Sequence, residues 1–160
     1  MKKKRMTRNR WIGLGLFILY IVLLLYLMFF ADLAERGVMA KAEYTYNLRP
    51  FVEIRRYLLN AQQIGLKGVL LNLWGNVFGF MPLGFVLPTF SRRCRRYWYN
   101  TVFAAYLLSW LIEMAQLFLR AGSCDVDDIL LNTLGGFCGY ICFHLTQRLR
   151  SRRYRQQHGF

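Results

Sequence analysis

The chain has 160 residues, of which 56% are hydrophobic, and a net charge of +14; its mean hydropathy is +0.23. A domain-sized chain with its apolar residues gathered into a few long runs excludes an ordinary soluble globule and reads as a membrane protein. The charge does not describe a nucleic-acid surface, because the basic clusters at 2–10, 92–96 and 148–155 sit just outside the apolar runs, where topology determinants belong. Anionic lipid headgroups are the natural partner of such clusters.

Residues 1–10 carry six Lys or Arg and no acid. The run 11–31 is then unbroken and about the length that crosses a bilayer. It is longer than the apolar core of a secretory signal and has no A-x-A site after it, so it reads as a retained first span. The segment 32–68 is polar and mixed in charge. Within it, Phe51, Ile54, Leu58 and Ala61 recur at spacings of three and four, which draws one face of an amphipathic helix. That helix is too polar to span. It either lies flat among the headgroups or packs on the spans.

The second span, 69–90, carries Asn72 and Asn76 four residues apart, a Gly75–Gly79 pair suited to close helix approach, and Pro82, which removes a backbone donor and should kink the helix. Residues 91–100 hold four arginines and no acid. The third span is 101–119 and the fourth 129–145, and the tail from 146 carries five arginines. This bias predicts both termini on the cytoplasmic side of a cell membrane. The expected fold is all-α and polytopic, with four transmembrane helices and an interfacial amphipathic helix between the first and second. Domain organisation is then a basic N-terminus at 1–10, a membrane domain at 11–145 and a basic tail at 146–160.

Polar residues sort to one end of this arrangement. Asn72, Asn76, Glu113 and Gln116 lie in the outer halves of their spans, and Asp125, Asp127, Asp128 and Asn132 open the fourth. At 1.5 Å per residue, Glu113 and Asn76 are each roughly 10 Å deep and Asn132 roughly 6 Å. Ionisable and amide groups are costly in hydrocarbon, and scattered helix glue does not sort by depth, so these eight residues are the candidate ligand-binding set. Either Asp125 or Asp127 also suits the N-cap of the fourth helix. The four cysteines, at 94, 124, 138 and 142, lack paired zinc spacing, and no metal or cofactor is expected. Cys138 and Cys142, one turn apart in an apolar run, read as packing residues. Cys94 is placed inside and Cys124 outside, so an impermeant thiol reagent should label Cys124 alone on intact cells.

At these residues the chain resembles the VanZ-like family. The resemblance is carried by Asn76, Phe80, Pro82 and Gly84 as N-x3-F-x-P-x-G, by Glu113 and Gln116 as E-x2-Q, and by Asp125, Asp128, Asn132, Thr133, Gly135 and Gly136 as D-x2-D-x3-N-T-x-G-G. The segment NLRPF at 47–51 also looks like the family's stretch ahead of the second span. Many relatives place an Arg close before the aspartates, whereas Arg120 lies five residues ahead of Asp125 and takes no such role. The resemblance implies a link to glycopeptide resistance, teicoplanin in particular, or a general role in the cell envelope. Three mechanisms compete. One is a non-enzymatic binder of a lipid-linked or lipoglycopeptide ligand at the outer leaflet. The second is an enzyme on lipid-linked wall precursors, with Glu113 as acid or base and the aspartates on a divalent ion. The third is a proton-coupled transporter relaying through Glu113. The sequence favours the binder, since no nucleophile–base pair is visible and both His144 and His158 lie at the wrong end.

Overall fold

The structure, a computed structural model, describes residues 8–36, 45–120 and 123–158. The chain divides into two compact units, Met1–Ala42 and Glu43–Phe160. The first unit contributes one helix, α1 (Arg8–Arg36). Its 19-residue segment Trp11–Phe29 is long and apolar enough to cross a membrane, and a helix is the form in which such a segment satisfies its own backbone in lipid.

Among the described residues, the second unit holds three further helices of spanning length and composition. One is Leu66–Phe90, made of α4 (Leu66–Val69), a widened π turn over Leu70–Trp74 and α5 (Gly75–Phe90). The others are α7 (Trp98–Leu119) and α8 (Val126–His158). The span expected at 69–90 therefore begins three residues earlier. The apolar run of α8 continues as helix through the basic tail, 33 residues in all. The departure from α geometry falls at Leu70–Trp74; α5 stays helical through both Pro82 and Pro88.

α5 and α8 run parallel and touch along their backbones. A Cβ on Gly84 would stand 1.9 Å from the Gly136 carbonyl oxygen, one on Gly135 2.2 Å from that of Val77, and one on Gly139 2.0 Å from that of Met81. Lipid tails give helices no hydrophobic reason to associate, so close approach over small residues has to supply the contact. Phe80 and Phe143 fill the space beside this seam and are almost fully buried. α7 runs antiparallel and closes the group, its Ala105 Cβ lying where a Cβ on Gly136 would meet it at 2.4 Å. The expected Gly75–Gly79 seam is not the one used at Gly75, since a Cβ there would meet nothing within 4 Å.

The two ends of this trio differ in chemistry. At one end, α6 (Arg92–Arg96) links α5 to α7. The Arg95 guanidinium donates to the Pro88 and Thr89 carbonyls at 2.9 and 3.2 Å, placing positive charge on the free carbonyls of a helix C-terminus. At the other end, β1 (Thr45–Asn47) and β2 (Ser123–Asp125) pair in parallel, Thr45 opposite Ser123 and Asn47 opposite Asp125. The single amphipathic helix expected near 51–64 is two pieces, α2 (Val52–Leu59) and α3 (Ala61–Ile64), broken at Asn60. Gly65, with φ at 80°, then turns the chain into α4, a conformation that costs glycine little.

Candidate functional site at the carboxylate end

The structure brings most of the eight polar residues singled out in the sequence to one end of α5, α7 and α8, and each carboxylate has a protein partner. Asp125 precedes α8 and its Oδ1 accepts the Asp127 N–H at 2.8 Å, the bond of a helix N-cap. Its carboxylate also faces Asn47 Nδ2, at 3.4 and 3.5 Å. Burial, above all, holds the Asp125 carboxyl above the ordinary 3.8, and the charges of Asp127 and Glu53 push the same way, against the hydrogen bonds from Asp127 and Asn47.

Asp127 caps a different helix. Its Oδ1 accepts from the Phe51 N–H, and its Oδ2 accepts from Glu53 at 2.8 Å and Ile54 at 3.1 Å. The Glu53 and Ile54 groups are among the first, otherwise orphaned, donors of α2. Phe51 reaches this geometry in the left-handed region, at φ 67° and ψ 8°, a conformation that needs outside support in a non-glycine residue. The aspartate is 1% exposed. One side chain from the start of α8 thus fixes where α2 begins.

Glu113, 2% exposed on α7, accepts the Asp125 N–H on Oε2 at 2.9 Å and so pins β2 to the helix. Gln116 is buried one turn further along the same helix. Asp128 accepts from Asn76 Nδ2, joining α8 to α5. Asn132 is fully buried and donates to Ser109 Oγ at 2.9 Å, joining α8 to α7, while its Oδ1 is a buried acceptor that takes no hydrogen bond from the described residues. Asn72 does not join this set: its Nδ2 donates to the Gly68 carbonyl of its own helix at 3.0 Å, across the π turn from Asn76. Thr133 likewise bonds its own helix, at the Ile129 carbonyl. Gly84, Gly135 and Gly136 form the helix seam, and Pro82 is exposed on its outer side.

The expected labelling of Cys124 does not fit its position. Its side chain is 2% exposed in β2, and burial, with the nearby Glu113 and Asp125 carboxylates, raises its thiol pKa above 9.0. A group both hidden and protonated reacts slowly from either side. Cys124 therefore cannot report the topology. Among the described residues no group of three or more His, Cys, Asp or Glu is arranged to hold a metal ion.

Two participants were not among the candidate site residues, Asn47, noted only as the start of NLRPF, and Ser109. Asn47 stood in a polar segment with nothing to mark its distant partner. Ser109 did carry a signal: it lies four residues before Glu113 and therefore on the same helical face. Below Ser109 the core closes, with Ala105 fully buried against Gly136. The next buried polar residue of α7 is Thr101, two turns away, whose hydroxyl donates to the Cys94 carbonyl at the arginine end.

The family model described as VanZ/LLP1 matches residues 17–147. The chain is 27% identical over 135 residues to a curated protein named Protein VanZ from Enterococcus faecium, an alignment covering 84% of this chain and 74% of that protein. No solved structure matches significantly.

Proposed function

Since the chain belongs to the VanZ/LLP1 family, we propose that it lowers susceptibility to lipoglycopeptide antibiotics such as teicoplanin, acting from a polar site at the outer face of the cell membrane. In this reading both termini are cytoplasmic, because the arginines of α6 and of the α8 tail share the end opposite the aspartates and basic residues are retained inside. The observation that carries the proposal is the convergence of Glu113, Asp125, Asp127 and Asp128 at one end of three spanning helices. Glu113, Asp125 and Asp127 are buried and spend acceptors on the protein, so they fix the shape of this end, and the half-buried Asp128 lends its surface negative charge. Such a surface suits a ligand rich in hydroxyl and amine donors, as a sugar- and peptide-bearing amphiphile is.

The same partners favour binding over catalysis. A general acid or base has to be within reach of a substrate proton, whereas Glu113 is turned to a backbone amide. The closed packing of Ala105 on Gly136 disfavours a relay through to the arginine end.

The test is teicoplanin susceptibility in a sensitive host expressing wild type, Glu113→Gln or Asp128→Asn at matched membrane abundance. Wild type should protect and both variants should lose protection. Equal protection by all three would remove the carboxylates from the function.

A further inference from the structure

We infer that the arm formed by α2 and α3 docks on the membrane leaflet at the carboxylate end, and that the partner it fits is the anionic phosphate headgroup of that leaflet's lipids. The inference goes beyond the proposed function and does not rest on it. Three observations carry it.

The first is tethering at both ends. The N-terminus of α2 is held by Asp127, in the first turn of α8, and the arm's far end passes through Gly65 into Leu66, the first residue of the next spanning helix. The thirteen residues between, Val52 to Ile64, form two helical pieces that at helical rise reach about 20 Å at most, roughly the width of two packed helices. An arm tied to the ends of two spans lies across the mouth of the helix group, at the level where the membrane meets water.

The second is exposure. Neither α2 nor α3 has a buried residue, and Phe51, Leu58 and Leu59 are 64%, 59% and 70% exposed. Leu66 and Leu71, on the helix that follows, are also exposed. An amphipathic helix that served only to cover the spans would bury these side chains.

The third is charge. Arg49, Arg55, Arg56 and Lys67 surround this apolar strip, and Glu53 is the arm's only acid. Glu53 is taken by Arg56 at 2.7 Å. Among the described residues, that leaves Arg49, Arg55 and Lys67 for an external anion. Leucines at the acyl boundary with guanidinium and ammonium groups at phosphate level is how such a helix lies in a bilayer surface. A soluble polyanion would match the cations but leave the leucines and Phe51 in water.

The full-length protein is placed in nanodiscs of phosphatidylcholine alone or of phosphatidylcholine mixed with phosphatidylglycerol, and amide exchange is followed over residues 55–64, with 101–116 as internal reference. Exchange in the arm should slow on the order of tenfold in the anionic discs. The triple variant Arg49→Gln, Arg55→Gln, Lys67→Gln, all at exposed positions, should abolish the difference. Equal exchange in the two lipids would overturn the inference. So would the same slowing produced by inorganic polyphosphate added to the phosphatidylcholine discs, since that would assign the cations to a soluble anion.

Discussion

Asp127→Ala isolates a single side chain that holds an entire segment. It removes the acceptor of three backbone N–H groups, those of Phe51, Glu53 and Ile54. At about 1.5 kcal/mol for each bond to a charged group, the loss is roughly 4–5 kcal/mol. The left-handed Phe51 adds about 1–2 kcal/mol of strain, released once the cap is gone. Nothing in α2 is buried to resist release, and an eight-residue helix is marginal by itself in water. The damage should therefore stay local, as detachment of the arm rather than unfolding of α5, α7 and α8. Trypsin reads this directly, because Arg55 and Arg56 lie inside α2 and cleavage follows the population of the opened state. In micelles, cutting at Arg55 and Arg56 should accelerate on the order of a thousandfold, while cutting in the α8 tail stays unchanged. Unchanged cleavage at Arg55 and Arg56 would refute the capping argument, and a parallel loss of the whole helix group would refute its locality.

Gly84→Val would put a Cβ 1.9 Å from the Gly136 carbonyl oxygen, and the obstructing atoms are backbone. The cost should reach or exceed about 3 kcal/mol, the upper end for overpacking, read as a lower unfolding midpoint in mixed micelles; Gly75→Ala, with open space at its Cβ, should be close to neutral. Glu113→Gln keeps an oxygen for the Asp125 N–H and should change stability by less than about 1 kcal/mol, whereas Glu113→Ala strands that buried donor at a cost of about 1–3 kcal/mol; thermal unfolding of the two purified variants decides. Asp125, its pKa raised in the fold above 3.8, binds its proton more readily folded than unfolded. Its ionised form is therefore destabilising, and that penalty should be relieved as the pH falls through the raised pKa towards 3.8. Asp125→Asn should remove this increment from a stability profile measured against pH.

The spans were legible in the sequence because hydropathy is a local property of long runs, and the four expected runs are the four helices of spanning length. The convergence of polar residues was legible too, from run order and helical rise alone. The partnering was not. Asn72 and Asn76 are four apart and should share a face, yet the π turn separates them, and nothing in LLNLW announces it. The parallel β1–β2 pairing joins segments 78 residues apart through strands of three residues, too short to show alternation. Asp127 read as an acid at its own helix N-terminus, and its true target, the N–H groups behind NLRPF, is set by tertiary contact. The glycines fared better by type than by position: a small-residue seam was expected, and it lies on Gly84, Gly135, Gly136 and Gly139.

The central claim is that the carboxylate end faces out of the cell. Cys94, in the arginine-rich link, marks the other end and is partly exposed. Leu48, beside β1 and 66% exposed, replaces the buried Cys124 as the outer marker. A membrane-impermeant maleimide is applied to intact cells expressing wild type or Leu48→Cys. Labelling should require Leu48→Cys, with Cys94 reacting only after the membrane is permeabilised. Labelling of Cys94 on intact cells, with none gained from Leu48→Cys, would invert the protein in the membrane and contradict the account.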